Sequence, residues 1–118
     1  MHEAGLIASV LQIVDESRQD NHLKWVKTVE LQVGVMNGAL PDALTFAFDA
    51  MRSSYAWLDD AAVLRIEMVP VHLQCLECHF EGPARDLMCP DCHSVLTRLV
   101  HGEEFAVVGY DGEDEEIL

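Results

Sequence analysis

No apolar run in the sequence approaches the roughly 20 residues of a membrane-spanning helix, and His2 and Glu3 stand where a secretory leader would place basic residues. These two absences predict a cytoplasmic protein with no membrane association. Basic side chains are scarce, with 7 Lys and Arg against 21 Asp and Glu for a formal charge of −14. That balance repels phosphate backbones and anionic lipid surfaces, so no nucleic acid is expected as a partner. Cysteine is absent outside Cys75–Cys92. In a reducing compartment, four cysteines confined to so short a stretch point to metal ligation rather than disulfides. No nucleophile, base and oxyanion arrangement is visible either. Ser9, Ser17, Ser53, Ser54 and Ser94 fall in ordinary helix or turn contexts, so the chain does not read as an enzyme.

The chain's 118 residues are half hydrophobic, enough for one compact domain or a small domain carrying a subdomain. Leu6, Ile7, Val10, Leu11 and Val14 recur at helical spacing and predict an amphipathic helix from Glu3 to about residue 20. Val29, Leu31, Val33 and Val35 alternate with Thr28, Glu30, Gln32 and Gly34, the pattern of a half-buried strand. Pro41 suits the first turn of a second helix, whose apolar stripe is Leu44, Ala47, Phe48, Met51 and Tyr55. A second strand alternates Leu64, Ile66 and Met68 and ends at Pro70. Beyond the cysteines, two short β-like runs split at His101-Gly102, the last strand running from Phe105 to Tyr110. The closing "DGEDEEIL" reads as a solvated acidic tail. Trp25 and Trp57 are expected in or near the core, and His22, His72 and His101 at turns or strand ends. The expected fold class is α+β: a small mixed sheet with two helices, formed by residues 1–70 and 98–118, plus an inserted zinc-ribbon-like four-cysteine module at 71–97.

"CLECHFEGPARDLMCPDCH" contains two copies of Cys-x-x-Cys-His, with ten residues between the cysteine pairs. Each Cys-x-x-Cys places two sulfurs in a tight turn. Two such turns face to face complete a tetrahedron around Zn²⁺ from Cys75, Cys78, Cys89 and Cys92. The module has few apolar side chains, so metal binding is expected to supply most of its folding free energy, on the order of 10 kcal/mol. Four thiolates leave no open coordination position, so the zinc reads as structural rather than hydrolytic. Iron in a rubredoxin-like site uses the same four sulfurs, and colour would separate it from zinc. Two haems on the Cys-x-x-Cys-His pairs would lack room, and a dithiol redox couple leaves the second pair unexplained. His79 and His93 are expected to be exposed residues of the knuckle turns, with alternate zinc ligation as their other role.

The first three residues, Met1, His2 and Glu3, make a second constellation. A histidine at position 2 ordinarily belongs to a frayed terminus. Here a bulky second residue should leave Met1 in place, and the helix begins at once. A metal joined to the Met1 amine and the His2 amide nitrogen closes a five-membered ring, and the His2 imidazole closes a six-membered one. Nitrogen ligation in one plane suits Ni²⁺ or Cu²⁺ rather than zinc. The Glu3 amide, without an intrahelical acceptor, or the Glu3 carboxylate could supply a fourth ligand.

A chain that begins Met-His-Glu, continues as helix, strand and helix, and inserts "CLEC…CPDC" before a last strand resembles the HypA/HybF family over essentially its whole length. These are nickel metallochaperones of NiFe-hydrogenase maturation, with relatives serving urease. The resemblance implies transient Ni²⁺ cargo at His2 with Met1 and Glu3, and structural Zn²⁺ at the four cysteines. The implied partners are a nickel-handling maturation GTPase and the hydrogenase large-subunit precursor. Where many relatives have glycine, this chain has His79 and His93. A homodimer is left open as an assembly. The competing reading is a protein-binding zinc-ribbon adaptor with no nickel role.

Overall fold

A computed structural model describes residues 2–114. The element order is α1 (His2–Asp20), β1 (Leu23–Gly34), α2 (Pro41–Met51), a 3₁₀ turn (Arg52–Ser54), β2 (Leu58–Val69), β3 (His72–Cys75), β4 (Glu81–Pro83), β5 (Thr97–His101) and β6 (Phe105–Asp114). Two helices, two three-stranded sheets of order β2-β1-β6 and β4-β3-β5, and the four-cysteine cluster make the α+β class expected from the pattern.

The chain divides into two compact units. The first comprises Met1–Leu31, Ala39–Ile66 and Val107–Leu118. In α1 the helical-spaced Ile7, Val10, Leu11 and Val14 are all buried, and α1 packs against α2 through the latter's buried Leu44, Ala47 and Phe48. Fully burying each of the Ile, Val, Leu and Phe side chains of this set contributes about 1.5–3 kcal/mol. α1 stops where Asn21 turns its amide back on the Ser17 carbonyl (2.9 Å) and His22 takes a left-handed conformation (φ 59°) just past the helix end. α2 starts on Pro41, whose missing N–H would be unpaired there anyway, and the Leu44 N–H closes the first turn on the Leu40 carbonyl at 2.9 Å.

The sheet β2-β1-β6 is mixed. The bonds from Val26 N–H to the Trp57 carbonyl and from Val35 N–H to the Val69 carbonyl advance in one direction along both strands, so β1 and β2 run parallel, joined by the α2 crossover. β6 runs against β1, since Gly34 bonds to Glu104 while Gly112 lies on Trp25. A Cβ at Gly112 would overlap the Trp25 carbonyl, so glycine is required for the two backbones to meet.

Several expectations need correction. Asp111–Asp114 are not tail but the end of β6, where Glu113 pairs with Lys27 at 3.3 Å; the last four residues, 115–118, lie outside the described residues. Trp57 is buried, with the Arg18 guanidinium 5.2 Å from its ring centre, whereas Trp25 is 38% exposed, with the Lys24 ammonium 5.7 Å from its ring centre. In β1 the buried set is Val26, Val29, Leu31 and Val33; the parity shifts between Val26 and Val29, and Val35 lies past the strand end, exposed. In β2 the burial is carried by Leu58, Ala62 and Leu64, while Met68 faces solvent.

The second unit comprises Gln32–Gly38 and Glu67–Ala106. Its core is small: Val33, Val71, Leu73, Cys75 and Cys89 are the buried apolar side chains among its described residues. β3 pairs antiparallel with β4 (Leu73 opposite Gly82) and with β5 (Leu73 opposite Leu99), with an irregularity between His72 and Leu73.

Candidate metal centre

The two Cys-x-x-Cys turns fold alike, residue for residue. In the first, the Glu77 and Cys78 N–H groups both donate to Cys75 Sγ at 3.4 Å, and the Cys75 N–H closes the loop on the Phe80 carbonyl at 2.7 Å. In the second, the Asp91 and Cys92 N–H groups donate to Cys89 Sγ at 3.4 and 3.5 Å, and the Cys89 N–H closes on the Ser94 carbonyl at 2.9 Å. A side-chain bond from Ser94 to Glu77 links the turns. The residue after each pair must reverse the chain, and His79 (φ 68°) and His93 (φ 66°) do so in the left-handed region, where glycine is the unstrained choice.

The four sulfurs converge. Cys75 and Cys92 lie 3.6 Å apart, as do Cys78 and Cys89, and all four Sγ atoms fall within 4.8 Å of one another. Those separations are far beyond the roughly 2.05 Å of a disulfide. They match the edge of a tetrahedron, about 3.8 Å, whose vertices lie about 2.3 Å from a central ion. One sulfur of each turn is buried (Cys75, Cys89) and one exposed (Cys78, Cys92). The Cys78 N–H, aided by that of Glu77, lowers the Cys75 thiol to about 7 against the opposing effect of desolvation. At Cys78 the Phe80 N–H also lowers, but desolvation and the surrounding sulfurs of Cys92, Cys89 and Cys75 outweigh it and push the thiol up to about 12. Cys75 therefore gives up its proton more readily than Cys78, and a cation entering among the sulfurs displaces the protons that remain.

His79 and His93 are both exposed on the turns. His93 lines an open depression of about 300 Å³ with Arg85, Asp86, Met88, Cys89 and Pro90. The second constellation lies in the other unit. His2 is exposed and Glu3 half-buried in the first turn of α1, and neither side chain has a hydrogen-bond or ion-pair partner among the described residues. Met1 lies outside the described residues. Beside this turn runs a groove of about 410 Å³, almost wholly apolar, between Ala4 and the Asp42, Ala43, Phe46, Ala47, Ala50 and Met51 face of α2. Helical spacing assigns Ala47 and Met51 to the core stripe and leaves out Phe46, which is 75% exposed. An aromatic residue on the polar side of the helical pattern is the signal that could have located this groove.

The model of the family described as "hydrogenase/urease nickel incorporation, metallochaperone, HypA" matches residues 1–111. The hydrogenase maturation factor HypA of Moorella thermoacetica is 31% identical over 115 residues, 96% of this chain and 100% of its own. That of Rhizobium leguminosarum is 34% identical over 109 residues, 91% and 95% of the two chains. The solution structure of the nickel metallochaperone HypA from Helicobacter pylori superposes with a TM-score of 0.69 at 21% identity, covering 96% of this chain and 98% of that one, a likeness of fold. A match over nearly the full length places this chain in the HypA family of hydrogenase and urease nickel-incorporation metallochaperones.

Proposed function

We propose that this protein carries Ni²⁺ at its N-terminus and passes it, together with a partner GTPase, to the NiFe-hydrogenase large-subunit precursor or to urease, while Zn²⁺ held by Cys75, Cys78, Cys89 and Cys92 is structural. The observation behind this reading is the family match over residues 1–111, which includes the Met-His-Glu terminus. The Met1 amine, the His2 amide and imidazole nitrogens, and Glu3 form the nickel donor set. Nitrogen donors in fused five- and six-membered chelate rings favour Ni²⁺ over zinc. His2 is exposed and no side chain covers it among the described residues, so a partner can reach the ion directly.

The cysteine site does different work. Its sulfur separations fit Zn²⁺, and four thiolates fill the tetrahedron, so the ion supplies folding free energy to a unit whose apolar core is small. His79 and His93 serve as alternate ligands only if a cysteine leaves the ion. The apolar groove along Phe46 adjoins the first turn of α1 and offers the GTPase a docking surface beside His2.

The test is transfer. Untagged, nickel-loaded protein mixed with the GTPase and the hydrogenase precursor should pass nickel on when GTP is added, and the His2→Ala variant should not. Equal transfer by His2→Ala would reject the terminal site as the carrier, and would favour a zinc-ribbon adaptor.

A further inference from the structure

The sheet β4-β3-β5 brings together two histidines that neither proposed metal site uses. His72 and His101 are partners across β3 and β5, and their rings meet edge to face with centroids 5.9 Å apart at 66°. Each ring has its own carboxylate. His72 Nε2 lies 3.5 Å from Glu81 Oε2, on the opposite neighbouring strand, and His101 Nδ1 lies 2.8 Å from Glu104 Oε2. Glu104 is fixed in turn, since its other oxygen accepts the Gly102 N–H at 2.7 Å. That N–H first, and His101 second, hold the Glu104 carboxyl below its usual range, so it is charged at neutral pH.

The Glu104 carboxylate decides which nitrogen of His101 carries the proton: with Nδ1–H donating to Glu104, Nε2 is left as a lone pair. Glu81 makes no hydrogen bond to His72, but its charge 3.5 Å from Nε2 favours the proton on that nitrogen and leaves Nδ1 free to ligate. A carboxylate on the far nitrogen is the usual support of a metal-ligating imidazole, orienting the ring and raising its basicity. The geometry points to a second cation site on this sheet, in which His72 and His101 ligate a divalent ion of the Ni²⁺ or Cu²⁺ type and Glu81 and Glu104 position them. Two imidazoles bound to one ion at about 2.0–2.1 Å, with an angle of 90–110° between them, have centroids roughly 4.5–5.2 Å apart. The rings must therefore close by about an ångström and turn out of their edge-to-face contact so that both free nitrogens face one point. Side-chain rotation allows this, because His72 is 36% and His101 58% exposed. Water fills the other positions. Imidazole nitrogen selects against Ca²⁺ and Mg²⁺, which take oxygen, and a donor set of two imidazoles predicts weaker binding than the chelate proposed at the terminus.

The site is tested by titrating untagged, zinc-replete protein with Ni²⁺, following heat and the histidine ring signals by NMR. The double variant His72→Gln/His101→Gln should bind one equivalent fewer than the wild type, and the wild-type His72 and His101 ring signals should broaden together as the weaker step fills. Glu104→Gln should weaken that step by about tenfold or more without changing the count. The inference stands apart from the nickel-carrier reading, because His2→Ala tests the tighter step and leaves this one in place. It is overturned if the folded double variant binds as many equivalents as the wild type. Should that variant not fold, wild-type ring signals for His72 and His101 that stay sharp through saturation overturn it equally.

Discussion

At the scale of single residues, backbone geometry sets a demand that the side chains do not meet cheaply. The three described non-glycine residues with positive φ are all histidines: His22 after α1, and His79 and His93 after the cysteine pairs. The left-handed conformation costs an L-residue roughly 1–2 kcal/mol relative to the right-handed one. His79→Gly and His93→Gly should each stabilise the metal-loaded protein by about 1 kcal/mol in denaturant unfolding, with metal content unchanged. A loss of bound metal in either variant would instead assign the imidazole to the ion. Glu104 sets a pH dependence. Because the Gly102 N–H and His101 lower its pKa on folding, its contribution is complete above the unfolded value of about 4.3 and is lost as pH falls through the lower folded value. The Gly102 amide signal should therefore shift with a midpoint below about 4.3, and this transition should vanish in Glu104→Gln.

At the scale of elements, the cysteine turns and the helices rest on different interactions. α1 and α2 bury Ile7, Leu11, Val14, Leu44 and Phe48, whereas β3 to β5 bury little beyond Leu73 and Cys75, with Val71 just before them. Cys75→Ser should release the metal and expose the amides of β3, β4 and β5 to exchange, while the helical circular dichroism of α1 and α2 persists. Loss of helix and sheet together in one cooperative step would contradict this. Periodicity made α1, α2 and the longer strands legible, because their burial is one-sided and follows 3.6 or 2 residues. The paired sulfurs were legible too, since Cys-x-x-Cys folds locally. Long-range partners were not. Asp111–Asp114 look like tail by charge, yet the backbone at Gly112 pairs with Trp25 and draws them into β6. Phe46 breaks the apolar stripe of α2 because it lines a groove rather than the core. The left-handed turns at His79 and His93 are set by the N–H···Sγ bonds, which override the residue's own preference.

At the scale of the whole molecule, charge and exposure bear on the proposed delivery. A net charge of −14 favours a partner that presents a basic patch, with association slowing as salt shortens the Debye length to about 10 Å near 0.1 M. Glu16 is the cleaner probe of such steering than Asp15, because Asp15 is engaged with Arg18 at 2.8 Å and Gln19 at 3.0 Å, while among the described residues Glu16 has only a 3.4 Å bond from Gln12. Glu16→Lys should slow association with the GTPase at low salt and leave nickel affinity unchanged; a rate indifferent to both salt and this substitution would remove steering from the account. The central claim, that the chain holds its cargo at the terminus, is tested most directly by counting nickel. Zinc-replete protein with a native N-terminus should bind one more equivalent of Ni²⁺ than either His2→Ala or a chain extended at its N-terminus, with zinc content the same in all three. Identical nickel counts in the three proteins would contradict it.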